Sequence, residues 1–177
     1  MADFDERAIR REFRIPESAQ LVSYSASPSS SGWFGREGLK IEMVFQLTPD
    51  AYDAYERRVN TSGTWKRLPI PLSYLRRLAS VETVKRHRTE SYASRGEALP
   101  PEGSVYNPTE RQMLEQFIES LPPQPLRGLF QVRTAGTDVL HAPKLIVSSP
   151  DRDLPDFMLV MLDDAKRLII VKVSTNY

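Results

Sequence analysis

The chain has no cysteine. Disulfides, thiolate metal sites and a cysteine nucleophile are excluded together. Only two histidines are present, His87 and His141, so imidazole chemistry has few places to sit. No apolar run approaches the roughly 18 residues of a membrane span. The net charge is only +1, which excludes whole-surface attraction to nucleic acid or an anionic membrane. Among the eight glycines, Gly32, Gly35 and Gly38 are evenly spaced, but they precede a strand rather than opening a helix. The helix-start geometry that cradles a phosphate is therefore missing. There is no Gly-x-Ser-x-Gly elbow to expose a serine nucleophile.

What is present describes ordinary globular protein. The chain has 177 residues, of which 40% are hydrophobic and 27% charged. That length supports a core without staples and predicts one domain over residues 1–177. Arginine outnumbers lysine 18 to 6, which we read as a GC-rich genome rather than as function. The charged opening, Met1 to Arg14, does not have the form of a signal peptide. Charge is unevenly spread: residues 66–95 carry a net +6 and residues 96–125 a net −4.

Residues 39–47 alternate, with Leu39, Ile41, Met43, Phe45 and Leu47 on one face and Lys40, Glu42 and Gln46 on the other. This is a strand with one wet face. Ala19 to Ala26 is its expected partner, joined by a Ser/Gly-rich connection. Thr48-Pro49-Asp50 then starts a helix, with Thr48 as N-cap, Pro49 in the first turn and a stripe of Ala51, Tyr52, Tyr55 and Val59. A second helical pattern covers about residues 72–86. The segment of about residues 88–107 is polar, is punctuated by Pro100, Pro101 and Gly103, and is expected to be a loop or insertion. Asn107-Pro108-Thr109-Glu110 predicts a helix capped by Asn107, with Glu110 closing a capping box and Met113, Leu114, Phe117, Ile118 and Leu121 facing inward. Strands are expected over 129–134, 144–148, 157–162 and 168–173, with Asp163-Asp164-Ala165-Lys166 turning the last pair. Residues 157–162 are apolar on both faces and belong at the sheet's centre. The predicted class is α+β, with a mainly antiparallel sheet of about five or six strands and about three helices packed on it.

The candidate chemistry is sparse. Asp138 and His141, with Arg133 nearby in sequence, form the set for a small hydrolase. Asp151, Asp153 and Asp156 lack the glycine turn and terminal glutamate of a calcium loop and are expected to be a solvated turn. No metal or other cofactor is called for. The basic segment 76–88, with Tyr74 and Tyr92 nearby, is the nucleic-acid alternative. The acidic stretch that follows it favours an internally paired helix face instead. Aromatic and basic residues adjoin in two loops, at Trp33, Phe34 and Arg36 and at Trp65 and Arg67. Either Trp33 folds under its loop, or these residues form a contact patch of the kind that dominates protein–protein hot spots. We take Trp33, Phe34, Arg36, Trp65 and Arg67 as the candidate binding surface of a non-catalytic interaction domain.

One unit is familiar. Ile15-Pro16-Glu17-Ser18-Ala19-Gln20-Leu21-Val22 is followed by a strand ending Phe45-Gln46-Leu47-Thr48 and a Pro-Asp helix start with Tyr52 and Tyr55. It resembles the Leu-Pro-x-Ser-Ala opening of small bacterial lipoproteins and membrane-anchored domains of unknown role. The ending Leu168 to Tyr177, closing in Ser174-Thr175-Asn176-Tyr177, is similar to theirs. The resemblance implies an extracytoplasmic domain on an N-terminal anchor, with a protein or cell-envelope partner and no catalytic residues.

Overall fold

Alternation over residues 39–47 produces the strand it predicts, and the rest of the sheet is built outward from it. A computed structural model describes residues 2–29, 38–134, 144–146 and 152–175. Its elements are α1 (Ala2–Phe13), β1 (Gln20–Ser29), β2 (Gly38–Gln46), α2 (Pro49–Thr61), β3 (Lys66–Arg67), α3 (Leu72–Leu78), α4 (Val81–Ser94), α5 (Glu110–Glu119), β4 (Leu129–Thr134), β5 (Lys144–Ile146), β6 (Phe157–Asp163) and β7 (Leu168–Ser174). The class is α+β with an antiparallel sheet, as the pattern predicts. The sheet has seven strands in the order β1-β2-β7-β6-β4-β3, with β5 pairing β4 off that path. The chain divides into two compact units: Met1–Ile70, Pro122–Ser148 and Asp156–Tyr177 make the first, and Pro71–Leu121 with Ser149–Pro155 the second.

The first unit contains the sheet, α1 and α2. Ile41, Met43, Phe45 and Leu47 join Ile169, Val171 and Val173 of β7 and Met158, Val160 and Leu162 of β6 in one apolar cluster. Tyr52, Tyr55 and Val59 of α2 and Ile9 and Phe13 of α1 belong to the same cluster. Strand β6 is buried at every position, which is why its sequence shows no alternation. Lys172 and Glu42, paired in register across β7 and β2, form a salt bridge on the opposite face.

Helix α1 is the element its own sequence announces least. Among its described side chains the buried apolar ones are Ala8, Ile9 and Phe13. Arg10 compensates: it pairs with Glu6 one turn back at 2.6 Å and donates to the carbonyls of Pro16 (2.9 Å) and Ala19 (2.7 Å). Its guanidinium also lies 4.7 Å from the centre of the Phe45 ring. One arginine thereby ties α1, the link to β1 and the sheet together.

Gly128 lets β4 begin where it does. Its φ is +145°, and an added Cβ would lie 1.9 Å from the Leu162 carbonyl oxygen. Around it, Leu68 N–H donates to the Gly128 carbonyl at 3.1 Å and Asp164 N–H to that of Arg127 at 3.2 Å. Asp163 shapes the β6–β7 turn by accepting from the N–H groups of Ala165 and Lys166, both at 3.0 Å. This is the turn role its sequence context predicts.

The second unit departs from the expected pattern in several places, and α5 has no buried residue although Met113, Leu114, Phe117 and Ile118 are expected to face inward. The helix predicted over 72–86 is broken into α3 and α4 by Ser80, whose φ is +53°. The stretch expected to be a loop from about 88 begins as helix, because α4 continues through Ser94. This helix is polar on most of its circumference, so periodicity gives no sign of its end. The N-cap of α5 is Thr109 rather than Asn107, and Gln112 rather than Glu110 closes the capping box. Thr109-x-x-Gln112 is the better box, since a hydroxyl and an amide reach each other's backbone N–H across one turn.

Candidate functional site

Of the residues chosen as a binding surface, Trp33, Phe34 and Arg36 lie outside the described residues. So do Asp138 and His141. Trp65 is half-buried at the margin of the sheet–helix core, its ring edge-on to Tyr55 at 6.5 Å and 87°. Tyr55 is fixed in turn: its hydroxyl donates to the Phe13 carbonyl at 2.9 Å, and the Arg58 guanidinium stands 4.7 Å from its ring centre. Burial pushes the Tyr55 hydroxyl up to about 12, against the opposing pull of Arg58 and Arg133. Trp65 therefore helps to close a core. Arg67, on the two-residue β3, is exposed.

Arg133 is also engaged. It pairs with Glu12, donates to Gln131 Oε1 at 2.8 Å and stands 4.6 Å from the Phe13 ring centre. Gln131 passes the chain on to Thr64 Oγ1 at 2.9 Å. At the far end of α2, the Tyr52 hydroxyl donates to Asp164 at 2.7 Å. Burial first, and then that carboxylate, raise the Tyr52 pKa. These networks are closed upon themselves and secure α1 and α2 to the sheet.

The basic segment 76–88 is largely paired within the second unit. Glu110 accepts from Arg76 and from Lys85, both at 3.2 Å, which brings α3 and α4 to the start of α5. Arg76 also pairs with Glu82. Asp153, expected in a solvated turn, is instead nearly buried. It accepts from Thr83 N–H at 2.6 Å in the first turn of α4 and faces Arg77 at 3.4 Å. Asp153 thus supplies the cap that Ser80 does not, since Ser80 makes no side-chain cap bond.

The connection between α4 and α5 holds the feature that stands out. Ser104 to Asn107 form a β-turn closed by Asn107 N–H donating to Ser104 O at 3.0 Å. Gly103 N–H donates back to Asn107 O at 2.7 Å, with Gly103 at φ +89°. Asn107 then clamps the base: its amide donates to Pro100 O at 2.8 Å, and its carbonyl accepts from Arg88 at 3.0 Å. The two central residues of this locked turn are Val105 and Tyr106, which are 91% and 72% exposed. Beside the base is an open cleft of about 260 Å³ lined by Lys85, Arg88, Thr89, Leu99, Glu102, Asn107 and Pro108.

Sequence reasoning passed over this turn because the whole stretch looked like a polar connection. The signal was an apolar pair, Val105-Tyr106, framed by turn formers on both sides, Gly103-Ser104 and Asn107-Pro108. Among the described residues, no group of three or more His, Cys, Asp or Glu is placed to hold a metal ion. Nor is any helix among them long and apolar enough to cross a membrane. No known protein family, no curated protein and no solved structure matches the chain.

Proposed function

We propose that this protein is a non-catalytic binding domain whose second unit grips a polypeptide partner with the Val105–Tyr106 turn. The observation that carries the reading is the combination of order and exposure at that turn. A hydrogen-bonded frame holds a valine and a tyrosine outward, so little conformational freedom remains to be lost on binding. Tyrosine brings a large rigid apolar face with a polar tip, which suits an interface anchor. The adjoining cleft has an apolar wall, Leu99 and Pro108, and a carboxylate, Glu102. The fitting partner is a protein surface with an apolar socket for Tyr106. The similarity of residues 15–22 to bacterial membrane-anchored domains supports a partner in the cell envelope.

The test compares capture by the wild-type chain with capture by a Val105→Ser/Tyr106→Ser double variant, from an extract of the source cells. A protein retained by the first and lost from the second, at unchanged melting temperature, supports the reading. Equal capture of that protein by both would refute it.

A further inference from the structure

The cleft beside the Val105–Tyr106 turn is unevenly charged. Two cations of α4, Lys85 and Arg88, lie on one face of that helix and line the cleft together. Lys85 donates to Glu110 at 3.2 Å, but the same carboxylate accepts from Arg76, so its charge is shared. Arg88 is half-buried, and among the described residues it meets no carboxylate. One of its N–H groups goes to the Asn107 side-chain carbonyl at 3.0 Å, and another faces the Met113 sulfur at 4.0 Å. Both acceptors are neutral, and a thioether is a weak one. A half-buried guanidinium without a counter-charge is costly. A carboxylate answers it best, because the two planar groups bind through parallel hydrogen bonds.

Resting on the reading of the turn as a polypeptide grip, we infer that the cleft takes an acidic side chain of that polypeptide, its carboxylate on Arg88 and Lys85. The partner segment then combines an apolar residue, which meets Val105 and Tyr106, with an aspartate or glutamate close by in sequence. Charge selects this occupant. A basic side chain is repelled by Arg88, and an apolar one leaves the guanidinium unanswered. Leu99 and Pro108 offer apolar surface to the methylenes of the acidic side chain. Glu102 lines the same cleft from the loop before Gly103 and is exposed. Among the described residues it pairs with neither Lys85 nor Arg88. It repels the acid from the loop side, so the carboxylate is directed to the α4 side.

Arg88 also supports Asn107, so its substitutions must separate charge from support. Arg88→Lys keeps the cation, and Arg88→Gln keeps an amide donor without the charge. Lys85→Gln disturbs only a partly exposed pair with Glu110. Glu102→Gln removes the opposing charge. The experiment pans a random linear peptide library on phage against the full wild-type chain, these variants and the Val105→Ser/Tyr106→Ser double variant. The best wild-type peptide is then titrated against each by fluorescence anisotropy, with the melting temperature recorded beside it.

The expected wild-type pool is enriched in aspartate or glutamate near an apolar residue. The titrated peptide is expected to bind Arg88→Gln about tenfold more weakly, to keep most of its affinity for Arg88→Lys, and to bind Glu102→Gln more tightly. An acidic preference that persists in folded Arg88→Gln overturns the inference. So does a wild-type pool without acidic excess, or one in which nothing is enriched. If Arg88→Gln does not fold, Lys85→Gln decides: weaker binding supports the acidic ligand, and unchanged binding overturns it. Binders that depend on Val105 and Tyr106 but show no acidic preference overturn the cleft alone. Acidic binders indifferent to the double variant refute the grip and keep the cleft.

Discussion

The two units differ in how exposed their polar ties are. In the first, Arg10, Tyr55, Gln131 and Arg133 reach carbonyls, carboxylates or one another across elements distant in sequence. In the second, Glu110 and Asp153 also join separate elements, but other ion pairs are local and exposed, such as Arg111–Glu115 and Arg95–Glu97. Solvent screens such exposed pairs, so they add little to stability. The first unit thus reads as a secured scaffold, and the second as a carrier of what it displays. Stability should respond to changes in the first unit, and binding to changes in the second.

The sharpest way to break that contrast is Gly128→Ala. The added methyl meets the Leu162 carbonyl within the sheet, and backbone at that point cannot move aside cheaply. We expect a loss of roughly 3 kcal/mol or more in denaturant unfolding. Next is Tyr55→Phe, which leaves the buried Phe13 carbonyl without its donor. The expected loss is about 1–2 kcal/mol.

The same tyrosines set an alkaline limit. Tyr55 ionises only near 12 in the folded protein, and Tyr52 is also raised. An unfolded tyrosine ionises near ~10. The folded state therefore holds the neutral phenols more strongly, so this stabilisation is complete below about pH 10 and is lost as pH climbs towards 12. Melting temperature against pH, followed with tyrosinate absorbance, should show that decline, and Tyr55→Phe should make it shallower while Tyr52 keeps its share. A midpoint for all tyrosines near pH 10 in the folded protein would contradict the burial argument.

In the second unit the largest expected effect has the opposite sign. Ser80 holds a left-handed backbone, and its buried hydroxyl has no hydrogen-bond partner among the described residues. Ser80→Gly relieves both and should stabilise the protein by about 1 kcal/mol. The smallest effect is expected from Val105→Ser with Tyr106→Ser, within about 0.5 kcal/mol of wild type, because neither side chain is buried. Thermal melts of both variants check these two values.

The contrast also explains what could be read from the chain. Strand β2 and helix α2 were legible because burial on one face imposes a period, and β6 because burial on both faces removes it. Helix α1 was not, because Arg10 does with hydrogen bonds what an apolar stripe does elsewhere. The break at Ser80 was hidden because a serine in the left-handed region has no sequence mark, unlike the glycine that usually holds that conformation. Trp65 looked like a surface anchor because aromatic residues beside arginine suit interfaces. Only its contact with Tyr55 shows where its ring goes. The exposed pair at 105–106 was concealed for the reverse reason: two apolar residues in a polar stretch are too few to make a pattern.

The most direct test of the account is a photo-crosslinking amino acid placed at position 106, with position 67 as the comparison, in living source cells. The account predicts a discrete adduct to one protein species from position 106 and none from position 67. Adducts from position 67 alone would place recognition on the sheet's edge strand and contradict the assignment of binding to the Val105–Tyr106 turn.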